Sequence, residues 1–150
     1  MSILAALLAL AAIPQDREAA RFERCGSAPR VTCVVDGDTF WYRGAKIRMA
    51  DINTPEVSRP ACPQEAALGR AATARLAELL SQAPFTLAAT SRDRDRYGRL
   101  LRTVTRRGES LGALLVREGL AEAWQGRRGD WCRARISGAK RGPGFPEPLA

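Results

Sequence analysis

Residues 35–56 read VDGDTFWYRGAKIRMADINTPE, and the fold is decided there. Two acids flank a glycine in Asp36-Gly37-Asp38. Asp-Gly between β-prone residues is a hairpin signal. Arg43-Gly44 turns the chain again, and a further strand carries Arg48 into Asn53-Thr54-Pro55-Glu56. Oxygen ligands for a hard cation, a guanidinium and a carboxylate are thus gathered in one short antiparallel unit. Those are the parts that cleavage of a phosphodiester requires. A second arginine follows in Arg96-Tyr97-Gly98-Arg99.

Working outward, residues 30–36 read as a strand in which Val31, Cys33 and Val35 alternate with Thr32 and Val34. Residues 39–42 and 46–52 are the next two. In the latter, Ile47 and Met49 share one face and Arg48 takes the other, so Arg48 points away from the core. A loop holding Pro60 leads to a helix over residues 63–81. Its stripe is Leu68, Ala72, Leu76, Leu79 and Leu80. Pro84 ends that region. Strands follow at 85–90 and 99–106, joined by a charged loop over 91–97. Ser110 caps a second helix, with Leu111, Leu114 and Leu115 facing inward and Gly119 at its end. Beyond Trp124 the pattern fades into Gly, Arg and Pro, and irregular structure is expected. The fold class is mainly β with helices (α+β). The element order matches an OB-fold, a five-stranded β-barrel with two to three α-helices.

At 150 residues the chain supports one core. Its net charge is +8, carried almost wholly by arginine, with Lys46 and Lys140 the lysines. Such a surface suits nucleic acid or an anionic membrane; a genome rich in Arg codons is the bland alternative. There is no histidine, which excludes Ser-His-Asp and Cys-His catalysis and His-ligated zinc. The apolar run over residues 3–13 is too short to span a bilayer but fits the core of a signal peptide. A secreted or periplasmic protein is the favoured reading, against a frayed N-terminal helix. Residues 1–24 are expected to be signal peptide and linker, with 16–23 too charged to pack. Residues 25–132 form the domain and 133–150 an irregular tail. Four cysteines suit two disulfides in an exported chain. Gly26 and Pro29 let Cys25 fold back on Cys33, and Cys62 with Cys132 would tie the tail to the rim of the site.

With both motif stretches in hand, residues 30–124 resemble the staphylococcal nuclease-like (thermonuclease) family. The resemblance implies an OB-fold endonuclease acting on DNA or RNA, breaking the bond on the 5′-oxygen side and leaving 3′-phosphate ends. It implies Asp38, Asn53 and the Thr54 carbonyl as ligands of a divalent metal, Ca2+ or Mg2+. Glu56 is implied as general base or as the group that orients the attacking water, and Arg48 and Arg99 as the arginines on the scissile phosphate. The planar guanidinium fork suits that task because it donates two hydrogen bonds and stays charged. No stable protein partner is implied, so a monomer is expected. The family also adds a C-terminal helix, where this chain is rich in Gly and Pro.

Asn53 departs from the pattern, since the family has aspartate there. The amide oxygen can ligate but brings no charge, and Asp51 is a candidate to compensate. Arg96 and Tyr97 are candidate contacts to a neighbouring phosphate. Trp124 is either a stacking platform for a base or a core aromatic. Asp36 braces the turn, and Asp93 and Asp95 read as a solvated loop. A catalytically silent OB module that only binds nucleic acid is the rival from another class. Members of that kind lose the arginines or the glutamate, and here all three are present.

Overall fold

The computed structural model describes residues 15–133. Turn chemistry sets the first three strands, β1 (Cys33–Asp36), β2 (Thr39–Tyr42) and β3 (Ala45–Met49), which pair as antiparallel neighbours. Then come β4 (Ile52–Asn53), α1 (Pro63–Gln82), β5 (Thr86–Arg94), β6 (Leu100–Arg106), β7 (Glu109–Ser110), α2 (Leu111–Arg117) and β8 (Glu122–Ala123). The main sheet runs β1-β2-β3-β6-β5, with β7 on β6. Among the described residues the two ends of this path, β1 and β5, do not pair, so the sheet is mixed and open. The contact between β3 and β6 is parallel, with Arg48 opposite Leu101.

Alternation buries Phe40, Ile47, Met49 and Val104 against Leu76, Leu79 and Leu80 of α1 and Leu115 of α2. Each such side chain contributes roughly 1.5–3 kcal/mol when fully buried. Pro63 opens α1, where a missing N–H costs nothing. Ser110 caps α2 by accepting from the Ala113 N–H at 3.0 Å. Cys25 is disulfide-bonded to Cys33, and Cys62 to Cys132.

Three expectations are corrected. Residues 16–23 do pack: Phe22 is only 4% exposed and its ring lies 5.8 Å from Phe40, 5.9 Å from Tyr42 and 6.0 Å from Phe85. Its N–H donates to Ser81 Oγ at 2.8 Å, and Asp16 accepts from Thr86 Oγ1 and the Arg107 N–H, both at 2.8 Å. One aromatic among charges is enough to fill the gap between sheet and helix. The strand expected over 46–52 breaks at Ala50-Asp51, and β4 leaves to pair with β8 in a separate two-stranded sheet. The loop expected over 91–97 is shorter, because β5 continues to Arg94 across an irregular register. The apolar run before residue 15, the tail beyond residue 133 and any C-terminal helix within it lie outside the described residues.

Candidate active site

Gly37 lies in the β1–β2 turn, yet close approach matters there more than backbone freedom. A Cβ on it would come within 2.6 Å of Ala72 Cβ and 2.8 Å of Thr54 Cγ2. Its bare backbone lets the turn press onto α1 and onto the segment entering Glu56. Asp38, next in the turn, is buried. Its Oδ2 accepts from the Thr54 N–H at 3.0 Å, and its Oδ1 from Thr39 Oγ1 at 3.0 Å. Asp36 Oδ1 accepts from the Asp38 N–H at 3.2 Å. Burial, then the nearby Asp38 charge, and more weakly that of Glu56, push the Asp36 carboxyl up to about 7. Two carboxyl groups thus share one turn, and Arg48 stands beside Asp38.

Arg48 does point off the core, but into protein. Its side chain is 13% exposed. It donates to the Ile52 carbonyl at 2.8 Å and to the Met49 carbonyl, and its Nη2 lies 3.4 Å from Asp38 Oδ2. The break between β3 and β4 wraps around this guanidinium. Arg99 reaches the same face by register: Arg48 is opposite Leu101 in a parallel pair, and Arg99 is two residues before Leu101. A hairpin loop aims it. Asp95 Oδ1 accepts from the N–H groups of Tyr97 at 2.9 Å and Arg99 at 3.0 Å, and Asp95 Oδ2 takes Arg99 Nε at 2.6 Å. Gly98 makes that turn with φ of 79°. Burial works to raise the Asp95 pKa, but hydrogen bonds from Arg99 outweigh it, and the pKa is lowered. Asp95 is thus a built support, where the sequence suggested a solvated loop.

Glu56 is fixed from α1. Glu65, buried near the start of that helix, accepts from the N–H of Glu56 at 3.1 Å and of Ala61 at 2.6 Å. Gly69, one turn further on, would place a Cβ 2.8 Å from the Glu56 carbonyl oxygen and 3.0 Å from that of Pro55. The Glu56 carboxylate is ion-paired with Arg128, on the segment that Cys132 ties to Cys62.

Arg48, Tyr97, Arg99, Trp124 and Arg128 line one cleft of about 620 Å3, with Arg96 beside them. Trp124 is 43% exposed and lies beneath Arg48, whose Cζ is 5.8 Å from its ring centroid. That places it in the cleft and not in the core. Tyr97 is more exposed still, with Arg96 stacked 4.7 Å from its centroid and Arg99 5.5 Å away. Asp38, Asn53 and Thr54 stand behind Arg48 as buried groups and do not line the cleft. Asp51 is committed elsewhere. Its Oδ2 accepts from Ser110 Oγ at 2.6 Å, beside Gly112 at the start of α2. Glu65, Gly69, Asp95, Glu122 and Arg128 escaped sequence reading. Only Asp95, two residues before Tyr97 in a turn ending at Gly98, carried a local signal, as a side chain able to cap that turn.

Comparison with known proteins places the chain among endonucleases by similarity. Over 93 residues the chain is 39% identical to endonuclease YncB of Bacillus subtilis, covering 58% of this chain and 43% of that protein. It is 32% identical over 98 residues to a thermonuclease of Staphylococcus hyicus, covering 63% and 57%. It is 26% identical over 124 residues to an uncharacterized endonuclease of Haemophilus influenzae, covering 83% and 62%. The chain therefore spans less than two thirds of the length of each relative. The family model for staphylococcal nuclease homologues matches residues 46–135, more than half of the chain and the stretch carrying Arg48, Glu56 and Arg99, so the chain belongs to that family.

Proposed function

We propose that this chain is a divalent-metal-dependent nuclease hydrolysing phosphodiester bonds of DNA or RNA. The reading rests above all on one observation: Arg48 and Arg99 share a cleft with Arg128, and Arg128 is ion-paired with Glu56, which does not itself line the cleft. A phosphodiester entering the cleft meets guanidinium donors already held by carbonyls and by Asp95. Charge grows on the non-bridging oxygens as water attacks phosphorus, so fixed donors favour the transition state over the ground state. Glu56 takes the proton from that water, as no histidine is present to do so, while the bond from phosphorus to the 5′-oxygen breaks and that oxygen leaves as a hydroxyl, protonated from solvent. Trp124 and Tyr97 offer ring faces to neighbouring bases, and Arg96 a charge to the next phosphate.

The residues also fit a hard cation. No group of three or more His, Cys, Asp or Glu side chains forms a metal cage among the described residues. By family likeness the donors are the Asp38 carboxylate, the Asn53 amide oxygen and the Thr54 carbonyl, an all-oxygen set suited to calcium or magnesium. Asp36 and Asp38 set two carboxyl groups in one turn, which would favour a cation there. When bound, it would supply Lewis-acid polarisation of a phosphoryl oxygen. By family likeness the fold is of the OB type, here with the sheet open between β1 and β5, and the products carry 3′-phosphates. The two disulfides suit export.

Digestion of single- and double-stranded DNA and RNA, with calcium, magnesium or chelator, tests the reading. Arg48→Ala, Arg99→Ala and Glu56→Gln are each expected to cut turnover at least ~100-fold, the scale of losing one preorganised donor or a general base. Full activity in Arg48→Ala and Glu56→Gln would sink it.

A further inference from the structure

Asn53 is buried, and its side chain is not free to turn. In the two-stranded sheet it stands directly opposite Glu122. Its Nδ2 donates to Glu122 Oε1 at 2.9 Å. The same oxygen accepts from the Gly129 N–H at 2.5 Å, so the carboxylate is itself held. Gly129 has no side chain, and a Cβ there would run into Glu122. An ionised carboxylate only accepts, so it draws the donating end of the amide toward itself. The end left over is Oδ1, the one atom of that side chain able to bind a cation. Thr54, next in sequence, reaches Asp38 through its N–H, so this corner adjoins the acidic turn.

We propose that Glu122 is the positioning residue of the cation site: it fixes the Asn53 amide with Oδ1 available and supplies, one hydrogen bond away, the negative charge that asparagine lacks. The inference rests on the cation reading given above. Asp51, the sequence neighbour with the right charge, faces α2 instead: its Oδ2 accepts from Ser110 Oγ, and both its oxygens lie against Gly112. Outer carboxylates that orient a metal ligand commonly matter ~10–100-fold in affinity. Here the carboxylate reaches the ligand across strands, from a residue 69 positions away.

Asn53→Asp would bring a second carboxylate to within hydrogen-bonding distance of Glu122. Like charges so placed oppose each other, so the charge gained at one position is offset by repulsion at the other. The two positions must then be non-additive.

Calorimetric titration of the whole chain with calcium, repeated with magnesium, tests this. Glu122→Gln is expected to weaken calcium binding about tenfold. Gly129→Ala, which alters no charge, should weaken it in the same direction by displacing the carboxylate. Asn53→Asp should tighten binding by less than about threefold in the wild-type background, but at least about tenfold with Glu122→Gln. Thermal melts in chelator check that each variant folds. Affinity unchanged in Glu122→Gln, with the wild type binding calcium normally, would overturn the role of Glu122 and leave the cation reading standing. A wild type that binds neither ion would overturn both.

Discussion

Two regions build the candidate site, and they are held in place by different means. Residues 36–56 are threaded through two hairpins and pressed onto α1, where Gly37 and Gly69 allow contact with almost no gap. Residues 122–132 reach the same place on a two-residue strand, an ion pair from Arg128 to Glu56, and a disulfide. The first region takes its geometry from packed backbone. The second takes its geometry from point attachments. Packed backbone resists displacement in every direction, whereas each point attachment can be cut by itself. The difference teaches that Arg48 and Glu56 are placed by packed backbone, while the rim that holds Asn53 and pairs with Glu56 is placed by links, as Arg99 is by Asp95.

Cutting one link should therefore have the largest effect. Cys62 and Cys132 are separated by 70 positions. Closing a loop of that size contributes about 4 kcal/mol in the chain-entropy model. The double variant Cys62→Ser/Cys132→Ser is expected to melt at least about 10 °C lower. Limited proteolysis with trypsin should cut it first at Arg127 and Arg128, while residues 36–56 remain protected. If both sites stay protected and the melt is unmoved, the buried Trp131 holds the segment by packing, and the contrast fails.

Intruding on the packed region should come next. In Gly69→Ala the new methyl meets the carbonyl oxygens of Glu56 and Pro55, which belong to the backbone and cannot swing aside. Overpacking of this kind costs about 1–3 kcal/mol. A shift of ~1 Å in a reacting group commonly costs ~100-fold in rate. Turnover on a short oligonucleotide is expected to fall by about that factor, with the melt lowered modestly. Wild-type turnover in Gly69→Ala would mean that Glu56 is not placed by α1.

The same division explains how much was legible in the sequence. Hairpins, helix stripes and caps are local patterns, and Asp38, Arg48, Glu56 and Arg99 could be singled out because family motifs lie within such patterns. Glu122 could not. Its meaning depends on standing opposite Asn53 in strands of two residues each, too short for any periodicity. Arg128 is one arginine among many, and only the link from Cys132 to Cys62 brings it to Glu56. Phe22 is hidden by its charged neighbours. Gly69 sits mid-helix, where glycine reads as a weakness until the backbone facing it is known. The break after Met49 has no local signal, because residues 46–52 alternate well enough for one strand. The chain turns there around Arg48, which donates to the carbonyls of Met49 and Ile52.

The smallest expected effect probes the acidic turn of the first region. Asp36 has an ordinary carboxyl value of 3.8, raised to about 7 by burial and by the Asp38 charge. A raised folded-state pKa means that the folded protein binds the proton more tightly than the unfolded chain does. Its contribution to stability is complete below about pH 4 and is lost as pH rises through about 7. An asparagine in place of Asp36 would carry no charge at any pH, and its Nδ2 can donate to Asp38 where the protonated carboxyl does at low pH. In chelator, Asp36→Asn should therefore match the wild type near pH 4 and exceed it by at least about 1 kcal/mol at pH 8, since one unit of displacement is worth ~1.4 kcal/mol. Calcium should shrink that difference, because a cation beside Asp38 balances the charge that the substitution removes. Urea unfolding at the two pH values, with and without calcium, measures all four quantities. Equal stability of the two proteins at pH 8 in chelator would mean that the turn is solvated well enough to carry both charges. The tight packing of Gly37 against Ala72 and Thr54 would then not exclude water from the acids beside it, and the first region would be less rigid than its contacts suggest.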